Sequence, residues 1–339
     1  MKLMNSKRIL LTVPNFYSYP EIIENALFDL GFTVTKIVYP KKSIYMPIFC
    51  KSKFNFLRKI YTLFKDDFDD YSLYCESQIE SLKFEYLLTI NIPLSRRFIE
   101  KMKSENCNLQ TIYYLWDSLH QFNFIKYLSY YDRVYTFDYA DAKEFNIVYL
   151  PNFWYIDKNF SCLDEKERYD LFFVGKFSIH RAEVIVSLLQ NNPELQYYIR
   201  LYNKTLLTEN AQYREWLKTK SEDFMRLLEG IVVNETIMLD DINKKLMSSD
   251  CVLDIESYEQ NGYSQRVVLA LAKGKKLLTT NQILLQQSGE GEQVRDINIV
   301  WQDLHQWIVN NNNESALKIK LQECEIHQWL CQLLGLYHE

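Results

Sequence analysis

Short apolar runs alternate with amphipathic stretches along the chain, and the alternation predicts its elements. Residues 8–13 (RILLTV) read as a strand. Residues 20–30 (PEIIENALFDL) read as an amphipathic helix, with Pro20 suited to its first turn and Gly31 to its end. Residues 32–38 (FTVTKIV) give a second strand. YLLTIN (86–91), TIYYLW (111–116) and DRVYTFD (132–138) follow with helical segments between them, one of them at 118–128, and VYL (148–150) closes the set. After a polar stretch at 157–169 the alternation restarts. Strands are predicted at 170–175, 197–202, 251–256, 275–280 and 297–300, with helices at 181–190, 239–249 and 266–274. Residues 314–336 read as an amphipathic helix.

Strands separated by helices of about ten residues imply parallel, doubly wound sheets. The expected fold class is therefore α/β, with two Rossmann-like domains facing a central cleft. The expected boundaries are 1–156 for a first domain and 157–315 for a second, with a terminal helix at 316–339 packing back on the first. In such sheets the working groups stand at the carboxyl ends of the strands. Those tips carry Asn15, Tyr17 and Ser18, then Asn91, then Asp117 and Ser118, then Asp138, in the first half. In the second half they carry Gly175 and Lys176, Asp254 and Glu256, and Thr279 and Asn281. Loops are polar in any case, so no single tip is decisive.

Composition narrows the class. The 339 residues suit two cores better than one. A formal net charge of −5 disfavours a general nucleic-acid binder. Seven cysteines with no CxxC pair point away from a disulfide scaffold or a zinc site and towards a reducing cytosol. No apolar run approaches the roughly 18 residues of a membrane span, and the opening MKLMNSKRILLTV reads as a first strand and not as an export signal. Location at the inner face of the plasma membrane is still an open expectation. Residues 30–65 carry eight Lys or Arg and no Asp or Glu, and the segment 51–65 has helical apolar spacing. That pattern suits an anionic membrane surface; it equally suits a basic face balanced by Asp66, Asp67, Asp69 and Asp70. That acidic run sits beside a helix and not after a strand, so no metal site is expected there.

Two stretches have the chemistry of phosphate binding. In CVLDIESYEQNGYSQRVVLALAKGKKLLTTN (251–281) a strand carrying Asp254 ends at Ile255, and a polar loop with Gln260, Asn261 and Gly262 follows. Ser264 is placed to cap the next helix and leave N–H groups aimed at the loop. Arg266 in the first turn adds a bidentate cation. The alternative is an ordinary βαβ unit with a solvated arginine. In FVGKFSIHR (173–181), Gly175 permits close backbone approach, while Lys176, His180 and Arg181 supply cations and a donor near a helix start. These also fit plain surface positions.

The stretch 251–281 resembles the donor segment of bacterial lipopolysaccharide and capsule glycosyltransferases of GT-B architecture, related to CgeB-like proteins. Asp254, Gln260, Gly262, Ser264, Arg266, Gly274, Lys275, Lys276, Thr279, Thr280 and Asn281 stand at matching places. YYLWDSLHQF (113–122), residues 131–151 and residues 169–185 extend the resemblance. It implies a hexosyl transfer from a nucleotide-diphosphate sugar to a lipopolysaccharide, capsule or lipid-linked glycan, with no metal and no cofactor. One departure is Leu269, where many such enzymes carry a glutamate that holds the donor; Glu256 or Glu259 is the substitute the sequence offers. Inverting transfer needs a general base. Asp117 follows an apolar strand and is the first candidate, with Asp138 second. Asp117 also suits a helix cap. Asn15, Tyr17, Trp116, Ser118 and His120 are expected on the acceptor side, Trp116 as a stacking surface or as a buried ring. Two other functions share these features: a nucleotide-sugar epimerase and a non-catalytic scaffold, the latter favoured by Leu269.

Overall fold

The computed structural model describes residues 6–39, 68–80, 83–157, 167–256, 262–288, 293–300, 302–310 and 321–336. The basic segment 51–65, Asp66, Asp67, Glu259 and Gln260 lie outside them. The chain forms two compact units. The first takes the described residues up to Asn152, Gly262 and those from Glu325 onward; the second runs from Phe153 to Glu256 and from Tyr263 to Cys324.

The first unit holds a parallel sheet in the order β2-β1-β3-β4-β5-β6. Its strands are β1 (Arg8–Pro14), β2 (Thr33–Tyr39), β3 (Tyr86–Ile90), β4 (Gln110–Leu115), β5 (Arg133–Thr136) and β6 (Val148–Tyr149). β1 and β3 are adjacent, with Ile9 opposite Tyr86 and Thr12 opposite Thr89. Their interiors are fully buried because helices cover both faces. The strand order reverses between β1 and β3, so the tips at Asn15–Tyr17 and Asn91 flank a crevice position.

The second sheet has the order β12-β11-β10-β7-β8-β9. Its strands are β7 (Tyr169–Lys176), β8 (Tyr197–Tyr202), β9 (Val232–Val233), β10 (Ser249–Asp254), β11 (Lys276–Thr279) and β12 (Val294–Asp296). Alternation along β7 builds two cores. Leu171 and Phe173 pack on one face with Ile185 and Leu228, while Phe172 packs on the other with Val267 and Leu271. Here the order reverses between β7 and β10.

Three sequence expectations are corrected. The last strand is Val294–Asp296 and not 297–300: Val294 pairs with Leu277 and Asp296 with Thr279, and the INIV run is a turn. The helix expected at 118–128 is confined to Ile125–Leu128. The preceding turn is tied instead to Asp141, which accepts from Leu119 N–H at 2.6 Å and Ser118 Oγ–H at 3.3 Å. The expected helix 314–336 is broken at 323–325 and resumes at Ile326–Leu334, while its residues 314–320 lie outside the described ones.

That helix is held in the first unit partly by His327. Its Nε2 lies 3.1 Å from Asp29 Oδ2 and its Nδ1 lies 3.0 Å from Glu325 Oε1. Burial pulls the His327 pKa down, but the two carboxylates outweigh it and leave the pKa above the ordinary 6.5. A raised folded-state pKa gives stability that is fully present below about pH 6.5 and is lost as the pH rises through the folded value. The melting-temperature gap between wild type and His327→Gln should therefore be wider at pH 6 than at pH 9. A gap independent of pH would refute this clasp.

Candidate functional site

At the reversal point of the second sheet, β7 runs out at Gly175–Lys176 and β10 at Asp254. Each strand feeds a serine-capped helix. Ser178 accepts from Arg181 N–H at 3.2 Å and starts Ile179–Asn191. Ser264 accepts from Val267 N–H at 3.4 Å and starts Gln265–Ala272. Both helices thus direct their first N–H groups to the carboxyl side of the sheet.

Two guanidinium groups occupy this corner. Arg181 donates from Nε to Ile255 O at 3.0 Å and from Nη1 to Lys176 O at 3.0 Å. Arg266 donates from Nη1 to Val174 O at 2.6 Å, and its Nη2 lies 3.8 Å from Asp254 Oδ1. Both sit against the Phe173 ring, at 5.7 Å and 4.7 Å from its centroid. Strand-end carbonyls therefore fix the orientation of both cations. Asp254 is buried and also accepts from Thr279 Oγ1–H at 2.9 Å. Burial raises its pKa, while Arg266, Thr279 and Arg181 act in the opposite direction. The Arg181 pKa is lowered to about 10, first by burial and then by the Arg266 cation. Two cations thus share one buried carboxylate, so the corner carries an excess of positive charge. A ligand with two adjacent anionic groups would offset it.

Gly175 makes the corner possible. A Cβ there would lie 2.9 Å from two carbons of the Phe173 ring and 3.7 Å from Arg181 Nη1. The ring that seats both arginines would have to move. Gly175→Ala should cost about 1–3 kcal/mol by overpacking, read by urea denaturation; an unchanged midpoint would show that the ring yields freely.

The other expected residues of this half separate. Lys176 is exposed and near the corner in sequence. His180 lies in the first turn of its helix and lines a separate cavity of about 300 Å³ with Glu183 and Ile299. Glu256 N–H donates to Thr280 Oγ at 3.1 Å, which fixes the β10 exit. Asn281 is buried, and its Oδ1 accepts from Leu284 N–H at 3.0 Å, so it starts the helix Gln282–Ser288. Leu269 is buried in the core of its helix. Its apolarity answers a packing demand, and it offers no acid.

In the first unit, Asp117 stands beyond the tip of β4 and pairs with Asn91 beyond the tip of β3. Asn91 Nδ2 donates to Asp117 Oδ2 at 2.7 Å, and Asp117 N–H donates to Asn91 Oδ1 at 3.2 Å. Asn91 holds a left-handed φ of 60°, and its carbonyl accepts from Tyr113 O–H at 2.8 Å. Asparagine tolerates this region better than most residues. Burial pushes the Asp117 pKa up, and the Asn91 hydrogen bond opposes the push. Asp117 does not cap a helix. Asp138 does: it is buried and accepts from Ala140 and Asp141 N–H at 2.9 Å and 3.2 Å, starting Tyr139–Phe145. Its carboxylate is thus committed to that cap. Ser118 is buried on Asp141, and His120 points at Glu144, 3.2 Å away. Asn15 and Tyr17 are exposed beyond β1, and Trp116 is half-buried. Asn91 was expected only as a strand tip, with no role, and Phe16 was not singled out at all. Their place at strand tips was the available signal.

Among the described residues, no group of three or more His, Cys, Asp or Glu is placed to hold a metal ion, and no helix is long and apolar enough to cross a membrane. No family model and no curated protein matches the chain. Solved structures do. A glycosyltransferase from Rickettsia africae ESF-5 is similar at a TM-score of 0.52 and 11% identity, over 97% of this chain and 94% of its own. A UDP-forming α,α-trehalose-phosphate synthase from Burkholderia vietnamiensis gives 0.59 at 9% identity, over 97% and 96%. The apo form of the lipopolysaccharide outer core galactosyltransferase WaaB gives 0.52 at 10% identity, over 97% and 100%. At such identities the likeness is one of fold. The chain has the GT-B fold, with two Rossmann-like domains.

Proposed function

We propose that this protein is a glycosyltransferase that binds a nucleotide-diphosphate sugar in its second domain and transfers the sugar to a hydroxyl of a lipopolysaccharide, capsule or lipid-linked glycan. The carrying observation is the pair Arg181 and Arg266, aimed by strand-end carbonyls around buried Asp254 at the reversal point of the sheet. Two fixed guanidinium groups beside two helix N-termini suit a diphosphate, whose leaving charge they would also stabilise. Lys176 adds a further cation at the β7 exit, and Gly262 with Ser264 supplies the turn into the second helix. Glu256 is the acid assigned to the donor ribose, since Leu269 is committed to the core. Asp117 is assigned as the base: it takes the acceptor proton as the acceptor oxygen bonds to the anomeric carbon and the diphosphate departs. That role makes the reaction inverting.

A UDP-linked donor is the first to test, because similar structures include a UDP-forming synthase. The resemblance to CgeB-like enzymes belongs to this proposal, as do work in the cytoplasm and peripheral contact with an anionic membrane. The experiment is a thermal-shift screen with UDP, GDP, CMP and dTDP and their sugars. A shift with one diphosphate family, followed by release of that diphosphate in the presence of glycan acceptors, is the expected result. No shift with any of them would overturn the assignment of the donor corner.

A further inference from the structure

The two domains differ in the chemistry of their strand tips. In the second domain the reversal point is cationic. In the first, the tip segments 14–20 (PNFYSYP), 90–95 (INIPLS) and 115–119 (LWDSL) contain no Lys or Arg at all. Their only formal charge is Asp117. Instead they carry rings. Phe16 lies edge-on to Tyr17 at 4.6 Å and nearly parallel to Tyr19 at 6.0 Å. Trp116 meets Phe16 at 6.3 Å and Tyr19 at 6.0 Å, both edge-on.

Tyr19 is buried beneath this group, but Phe16 is 53% exposed and Tyr17 is 45% exposed. Tyr17 also holds a φ of 48°. The left-handed region is costly for a bulky side chain, and such strain tends to persist where function requires it. Folding gains little from a strained turn that leaves two large rings half in water. A ligand that covers them gains both dispersion contact and removal of apolar surface.

We propose that Phe16, Tyr17 and Trp116 form a stacking platform for a neutral hexopyranose ring, the acceptor sugar of the transfer proposed above. A pyranose offers one face of axial C–H groups, which are weakly positive and suit the negative face of an aromatic ring. Its hydroxyls remain at the edge, where Asp117 follows Trp116 directly in the chain. A uronate or a phosphorylated sugar would meet no cation in these segments, a carboxylate beside it and electron-rich ring faces. These three segments therefore favour a neutral sugar over an anionic one, although Lys41 and Lys42 follow the neighbouring β2 tip in sequence. The proposal rests on the glycosyltransferase reading only for the word acceptor.

The test is saturation-transfer NMR on the full chain with the methyl glycosides of glucose, galactose, mannose and N-acetylglucosamine, and with methyl glucuronide as the anionic control. Transfer to the ring C–H protons of at least one neutral glycoside is expected, with none to the glucuronide. Phe16→Leu keeps an apolar side chain but removes the ring, and should weaken the interaction about tenfold. Phe16→Tyr should retain it. Phe16 is exposed, so folding is not at stake in either variant, and an unchanged melting temperature checks this. No transfer to any glycoside, or equal transfer with Phe16→Leu, overturns the platform. Nucleotide binding is read separately: a UDP shift without glycoside binding keeps the donor site and removes the platform, and the reverse keeps the platform and removes the donor site.

Discussion

Asp117→Asn should lower kcat by about 10²–10⁴-fold, the usual contribution of a positioned base, while the affinity for the nucleotide stays unchanged. The substitution is nearly isosteric. The new amide can place its oxygen where Asp117 Oδ2 stood and still accept from Asn91 Nδ2, so Asn91 keeps its Oδ1 on the residue-117 N–H and the reciprocal pairing that aligns the β3 and β4 tips survives. Loss of stability therefore does not explain away the loss of rate. A companion variant tests the proton directly. Activity requires the ionised carboxylate, so the acidic limb of the kcat/KM profile reports the Asp117 pKa. Burial raises that pKa, and Asn91 donates to the charged form and holds it down. Removing the donor in Asn91→Ala should move the limb to higher pH, leaving a rate that is poor at low pH and recovers as the pH rises. Because Asn91 also occupies a left-handed position, Asn91→Gly serves as a second variant that relieves the backbone. An Asp117→Asn enzyme with the wild-type kcat would remove this residue from the chemistry.

Much of the fold was legible because each half alternates strand and helix patterns at regular spacing. The strand cores of β1, β3, β4, β7 and β10 are continuous apolar runs, and burial on both faces of a parallel sheet demands that pattern. The tips followed from the same reading, which is why Asp117, Asp254 and Arg266 could be picked out. What stayed hidden was non-local. The strand orders, with β1 beside β3 and β7 beside β10, come from pairings that no local pattern encodes. They alone explain why the β7 and β10 exits share one corner. The helix at 118–128 failed for a related reason. Its propensity was sound, but the buried carboxylate of Asp141, more than twenty residues on, took the Leu119 and Ser118 groups and held an irregular turn. The edge strand β12 was misplaced because its VRD sequence is polar at two of three positions, while the neighbouring INIV run looks more like a strand. Leu269 shows the converse. Compared with a family pattern it looked like a lost acid; in the structure its side chain faces a core that an acid would disrupt.

Arg266→Ala should shrink the nucleotide-induced thermal shift at a given ligand concentration, and it should do so at a donor corner whose own stability also changes. Three losses coincide. The guanidinium no longer reaches Val174 O, the Phe173 ring loses its cation, and Asp254 keeps only Arg181 and its hydroxyl partners. Removing one partner of a buried charge is destabilising, so the apo melting temperature falls as well. Binding must therefore be measured as the shift over each variant's own baseline, or as Kd by calorimetry. A charge-assisted hydrogen bond to phosphate contributes about 1.5–3 kcal/mol, so Kd for UDP should rise roughly 10- to 150-fold. Arg266→Lys should rescue little: an ammonium cannot hold the Val174 carbonyl, lie flat on Phe173 and still offer a planar fork to the ligand. Asp254→Asn is the informative opposite. It leaves the two cations without their shared carboxylate, which lowers apo stability but increases the field at the corner. An anion should then recover more of the lost stability than it adds to wild type. If Arg266→Ala loses stability yet keeps the wild-type Kd, the arginine is a structural tie between β7 and the following helix of β10, and the diphosphate lies elsewhere.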